Sequence, residues 1–132
     1  NLELFDQPGF GLVELVEQGE AESEKALELL KKYLCPMVEQ GVDILVLGCT
    51  HYPFLTETIF RVIQKPITVI DPSRAVAAQI KRVLDQHSLA ADTGTNPQFF
   101  FYTTGEKQMA ETILNRTMDQ AFQLRRIIRN QI

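Results

Sequence analysis

Apolar positions recur along this chain with two different periods. Between Ser23 and Val38, the residues Ala26, Leu27, Leu30, Leu34 and Met37 fall on one helical face. Glu24, Lys25, Glu28, Lys31 and Lys32 cover the other face. Pro36 is expected to kink or end this helix, and Gly41 breaks the chain after it. Ahead of it, Pro8, Gly9 and Gly11 make residues 1–11 irregular, and Leu12 to Glu17 is a short segment closed by Gly19. Asp43 to Leu47 then reads as a strand too uniformly apolar to have one face in water. That pattern predicts a sheet covered on both sides, hence a parallel one.

The second half continues the alternation. Pro53 opens a helix to Ile63, Ile67 to Ile70 is a β-branched strand, and Asp71-Pro72 starts a helix running to about Gln86. Asp71 and Thr104 stand where helix caps are expected, and His87 reads as a surface cation at a helix end. A loop rich in Asp, Thr, Gly and Asn fills 88–97, and Gln98 to Tyr102 is an aromatic strand. A helix is expected over Glu106 to Leu114. In the tail, 115–132, Met118, Phe122, Ile127 and Ile128 lie among arginines and read as a final amphipathic helix. Strands alternating with helices place the chain in the α/β class.

Composition narrows the function. The chain has 132 residues, 45% of them apolar and 23% charged, which suits one compact domain or one lobe. A formal net charge of −4 gives no sign of a nucleic-acid surface, and no apolar run approaches the ~20 residues of a membrane span. Cys35 and Cys49 read as free thiols in a reducing, cytoplasmic compartment. The chain begins at Asn1 rather than methionine, which fits a fragment.

The chemistry concentrates where the first strand ends. Ile44-Leu45-Val46-Leu47 runs into Gly48-Cys49-Thr50-His51-Tyr52-Pro53, so a thiol stands at the carboxyl end of a buried strand before a new helix. Cys49 is either a small core residue or a thiol activated by that helix terminus and by His51 two residues on. Thr50 offers a hydroxyl and an amide to a carboxylate, or Thr50 or Tyr52 simply caps the helix.

Gly48-Cys49-Thr50-His51-Tyr52-Pro53, preceded by Asp43-Ile44-Leu45-Val46-Leu47, resembles the second signature of bacterial glutamate racemases, in the aspartate/glutamate racemase family. Leu12-Val13-Glu14-Leu15-Val16-Glu17-Gln18-Gly19 resembles the family's Val-Pro-Leu-Val/Ile-Glu-x-Gly, with Glu14 in place of its proline. Ile70-Asp71-Pro72-Ser73 resembles its Ile-Asp-Ser, and Phe101-Tyr102-Thr103-Thr104-Gly105 its near-terminal Phe-Tyr-Thr-Thr-Gly. The family's first cysteine motif, of Ala-Cys-Asn-Thr type, and its early Asp-Ser-Gly loop have no counterpart here. The likeness is therefore to the carboxyl-terminal half of the enzyme.

The resemblance implies a parallel-sheet, flavodoxin-like lobe of a two-lobed fold. Residues 1–68 would be part of the second lobe, 69–114 elements returning to the first, and 115–132 the tail. It implies cofactor-independent interconversion of L- and D-glutamate for peptidoglycan, with one thiol on each face of Cα and no metal. Cys49, His51 and Glu17 would be catalytic, and Thr50 and His51 would bind substrate. Glu17 reads equally well as a solvated residue at a helix end. Partners would be glutamate and the amino-terminal half, and the exposed apolar surface of such a piece also fits a homo-oligomer. By itself the chain would be inactive. A racemase for aspartate or another amino acid, and a non-catalytic α/β binding module, remain as alternatives. A flavodoxin-like nucleotide binder is disfavoured because no glycine-rich phosphate loop is present.

Overall fold

The computed structural model describes residues 2–91, 94 and 96–128, and the chain divides into two compact units, Asn1–Val83 and Leu84–Ile132. In the first, α1 (Leu12–Glu17) and α2 (Glu24–Glu39) precede β1 (Ile44–Val46). A 3-10 turn, Tyr52–Leu55, leads into α3 (Thr56–Val62) and then β2 (Thr68–Ile70). Helix α4 (Ser73–Gln86) runs across the division. The second unit holds β3 (Phe99–Thr103), α5 (Lys107–Thr117) and β4 (Phe122–Arg126). Among the described residues no helix is long and apolar enough to cross a membrane.

Each unit is built on a parallel strand pair joined through a helix, since parallel strands need a crossover. β1 pairs with β2 in the register Ile44↔Thr68, Leu45↔Val69, Val46↔Ile70. Backbone bonds from Thr68 to Asp43 and from Leu47 to Ile70 extend the ladder at both ends, so contact runs over the whole predicted 43–47 strand. β3 pairs with β4 from Phe99↔Phe122 to Thr103↔Arg126. The α/β class and the parallel sheets follow the sequence pattern.

The first unit's core joins α1, α2, α3 and the strand ends. Leu12, Leu15 and Val16 of α1 meet Leu30 and Leu34 of α2, with Leu47, Leu55 and Ile59. Helix α2 forms as its stripe predicts, capped by Ser23, whose Oγ accepts from the Ala26 amide at 3.2 Å. Its course differs at Pro36, where the helix continues to Glu39. Proline removes its own amide bond but not its carbonyl, which still accepts from Gln40 at 3.2 Å. Within the core Thr58 is fully buried, and its hydroxyl donates to the Ala21 carbonyl at 2.8 Å, tying α3 to the turn after α1.

Three expectations are corrected. The sheet is not covered on both sides within this chain: Leu45 and Val69 pack on the core, whereas Ile44 and Val46 are 47% and 59% exposed. Helices α1–α3 supply one layer only. The tail does not form a final helix over its described part. Phe122 and Leu124 alternate with exposed Gln123 and Arg125, a period of two, and form β4 beside β3. Phe122 packs edge-on to Phe101, ring centroids 5.9 Å apart. Residues 129–132 of that tail lie outside the described residues. Finally, the start of α5 is marked by Glu106 rather than Thr104, with the Gly105 amide donating to Thr103 Oγ1 at 3.1 Å.

Two outcomes follow for stability. Thr58→Val keeps the side-chain volume and strands the Ala21 carbonyl, so it should lower unfolding free energy by about 1–3 kcal/mol in urea denaturation. At α4, Asp71 Oδ1 accepts from the Ser73 hydroxyl at 2.6 Å and the Ser73 amide at 2.9 Å. First the hydroxyl and then the amide hold the Asp71 carboxyl below its usual range. Both bonds favour the ionised form, so their support of α4 is present above the ordinary carboxylate pKa of ~3.9 and lost as pH falls through the lowered value. The protection of the Ser73 amide, measured relative to its intrinsic exchange rate, should fall as Asp71 is protonated, and Asp71→Ala should remove that change in protection.

Candidate active site

The site is assembled by the turn that follows β1. Leu47 is buried at the strand end, and the chain then surfaces at Gly48, beside which space is open. The turn closes through the Tyr52 amide on the Cys49 carbonyl at 3.1 Å and the Phe54 amide on the His51 carbonyl at 3.2 Å. These bonds correct one expectation. The amides of Tyr52 and Phe54 are spent on the turn's own carbonyls, and a 3-10 segment precedes the α-helix, so neither of these two amides serves the thiol.

What faces the thiol is an imidazole. Cys49 Sγ lies 3.7 Å from His51 Nδ1. The other ring nitrogen, Nε2, lies 3.5 Å from Glu17 Oε1. Glu17 is the last residue of α1, which is brought here by its buried Leu12, Leu15 and Val16. Gly19, at φ 77°, takes the left-handed conformation that stops the helix, with the Glu20 amide reaching back to Leu15 at 2.8 Å. The helix thus ends where its final carboxylate meets the imidazole.

The three groups form a directed chain. A carboxylate can only accept, so it favours a proton on Nε2 and leaves the Nδ1 lone pair for the thiol. His51 can then take the Cys49 proton, and the resulting imidazolium faces a thiolate on one side and a carboxylate on the other. The His51 and Glu17 side chains are 27% and 40% exposed. Such a pair contributes at most about 1 kcal/mol to stability, so its use is orientation. Thr50 is exposed at the outer edge of the turn. Of the residues singled out in the sequence, Cys49, His51 and Glu17 are brought together, Thr50 flanks them, and Cys35 is a free thiol elsewhere on α2.

One neighbour escaped the sequence reading except as a helix cap. Tyr52 packs against the core, and its phenol is pushed above its ordinary range, first by burial and then by the negative charge that Cys49 can carry. A backbone hydrogen bond at Gly9 acts in the opposite direction. Its place beside His51 in the motif was the available signal.

Neither of two surface cavities holds these residues. One, of about 240 Å³, is lined by Cys35, Val38, Glu39, Val62, Ile63, Gln64 and Lys65. The other is lined by Thr104, Arg126, Ile127 and Ile128 in the second unit. Cys49 and His51 are instead half-buried in the turn, beside exposed Gly48 and Thr50. Among the described residues no cluster of three His, Cys, Asp or Glu could hold a metal ion.

The chain as a whole has recognisable relatives. The family model for Asp/Glu/Hydantoin racemase matches residues 7–80, which include Glu17, Cys49 and His51. The chain is 42% identical over 113 residues to a glutamate racemase of Cupriavidus pinatubonensis, covering 83% of this chain and 42% of that protein. The crystal structure of glutamate racemase isoform RacE1 from Bacillus anthracis superimposes with a TM-score of 0.79 at 26% identity, over 96% of this chain and 47% of that one. The glutamate racemase of Francisella tularensis, solved with D-glutamate, gives 0.78 at 26% identity, over 96% of this chain and 48% of that one. The chain thus spans less than half the length of these relatives. With a strand-end thiol, its imidazole and its carboxylate all inside the matched segment, the chain belongs to the Asp/Glu/Hydantoin racemase family.

Proposed function

We propose that this chain is the carboxyl-terminal half of a glutamate racemase and supplies one of its two proton-transfer thiols. The observation that carries the reading is the Cys49–His51–Glu17 chain at the end of a parallel strand. In the proposed step the Cys49 thiolate removes the Cα proton of L-glutamate. The Cα–H bond breaks, an S–H bond forms, and the electron pair stays on the substrate as a carbanion. A second thiol, from an amino-terminal half, delivers a proton to the opposite face, and the reverse sequence runs from D-glutamate. The overall reaction is redox-neutral and needs no cofactor. His51 resets the protonation state of Cys49, and Thr50 and His51 hold the substrate carboxylate.

The partial exposure of the Cys49, His51 and Glu17 side chains supports a site completed by another body of protein. In this reading residues 1–68 belong to one lobe of the whole enzyme and 69–114 to the other, with the tail beyond. The product D-glutamate would serve peptidoglycan synthesis in the cytoplasm.

Racemisation is followed by the optical rotation of glutamate. The 132-residue chain alone should be inactive. Mixing it with a separately made amino-terminal half of a glutamate racemase should restore turnover. Cys49→Ala in the assembled pair should lower the rate by about 10²–10⁴-fold, the usual worth of a positioned acid–base group. An assembled but inactive pair on glutamate that racemises aspartate would move the assignment to that substrate, and one inactive on both would favour a non-catalytic module.

A second measurement addresses the chain by itself. Iodoacetamide labelling read by peptide mass spectrometry should modify Cys49 several-fold faster than Cys35, although Cys35 is the more exposed thiol. A thiol kept only as architecture would show the reverse order.

A further inference from the structure

Gly9 lies just ahead of α1, and its carbonyl accepts from the Leu12 amide at 3.2 Å. The Tyr52 side chain closes on it. A methyl group built at Gly9 would stand 2.5 Å from Tyr52 Oη, 3.0 Å from Tyr52 Cζ and 2.7 Å from Leu12 Cδ1. Two of the separations are shorter than real Cβ contacts and the third is tight, and all three atoms belong to side chains, so the Tyr52 ring or the Leu12 side chain must give way. Gly11 and Gly19 have φ of 83° and 77°, but Gly9 is not among the left-handed glycines, so space rather than backbone conformation requires glycine there. The next residue is held too, because Tyr33 of α2 donates its hydroxyl to the Phe10 carbonyl at 2.8 Å.

The position of this contact gives it a consequence. Tyr52 is the residue after His51, and Gly9 leads into the six-residue helix that ends in Glu17. A helix of that length is a stiff rod of roughly 9 Å. Displacing its start displaces its final carboxylate.

We propose that Gly9 and Tyr52 are a positioning pair that sets the separation of Glu17 from His51. The bare Cα of Gly9 lets the Tyr52 ring close on the entry to α1, and a side chain there pushes α1, and with it Glu17, off the imidazole. Neither residue touches the reacting atoms. The inference rests on the reading of Cys49, His51 and Glu17 given above.

The test uses the whole chain carrying Cys35→Ala, with the iodoacetamide alkylation rate of Cys49 at pH 7 as readout. Both His51→Gln and Glu17→Gln should slow alkylation by about threefold, the size a partly exposed ion pair supports. Gly9→Ala should slow it to the same extent. In a Glu17→Gln background Gly9→Ala should have no further effect, which a general loosening of the fold would not reproduce. Adding Tyr52→Phe to Gly9→Ala removes the closest of the three clashes, with Leu12 Cδ1 and the ring still near, and should recover part of the rate.

Alkylation of the Gly9→Ala variant at the parental rate would overturn the pair, as would equal slowing with and without Glu17. If His51→Gln is itself as fast as the parent, the reading of the site falls and the pair with it. A slowed His51→Gln beside an unaffected Gly9→Ala defeats the pair alone. Should Gly9→Ala lose its helical circular dichroism, Tyr52→Leu carries the same comparison. It must slow Cys49 in the parent and not in the Glu17→Gln background.

Discussion

The seating of α1 on the turn after β1 is the constraint on which the site depends. Leu12, Leu15 and Val16 are at most 4% exposed, and they pack in one cluster with Leu55 of the 3-10 turn. Burying an aliphatic side chain contributes about 1.5–3 kcal/mol, several times what the half-exposed Glu17–His51 pair can supply. Packing therefore holds the helix, and the ion pair exploits a position fixed by other means. Thr58 strengthens the arrangement from the other side by binding the Ala21 carbonyl just past Glu17.

Much of this was legible because the signals are local. The α2 stripe and the apolar 43–47 run each describe nearest neighbours in a helix or strand, and both elements formed. The Cys49–His51 contact was legible for the same reason, since a spacing of two in a tight turn leaves little freedom. Glu17 lies thirty-odd positions earlier, and only family resemblance pointed to it. Tyr52 on Gly9 was invisible, because close approach between distant segments leaves no trace in periodicity. The tail misled for a different reason. Met118 and Phe122 share a helical face that Ile127 and Ile128 do not join, and the Phe122/Leu124 alternation won once β3 offered a partner edge.

The sheet face opposite the core raises an energetic question. Ile44, Val46 and Ile70 stand 47%, 59% and 42% exposed on two paired strands, and Val76 and Ile80 of α4 are each 55% exposed. At about 25 cal/mol per Å² of apolar surface, leaving such residues in water forgoes a stabilisation of the same order as that gained in a small core. The uniformly apolar strand was read as doubly covered, and the composition of β1 still asks for that cover. In the reading proposed above, the amino-terminal half is the body that would provide it.

The same consideration bears on the chemistry. With 27% and 40% of their side chains in water, His51 and Glu17 interact through a screened medium. Two unit charges 4 Å apart interact by about 1 kcal/mol in bulk water and by about 4 kcal/mol at the effective dielectric of a protein surface. Covering the Cys49 turn would raise the worth of every contact in the Cys49–His51–Glu17 chain without moving an atom of it. It would also exclude water that competes with the second thiol to protonate the proposed carbanion. Geometry and electrostatics are thus separable here. The fold of this chain supplies the first through α1 and the turn, and the proposed amino-terminal half would supply the second by closing over it.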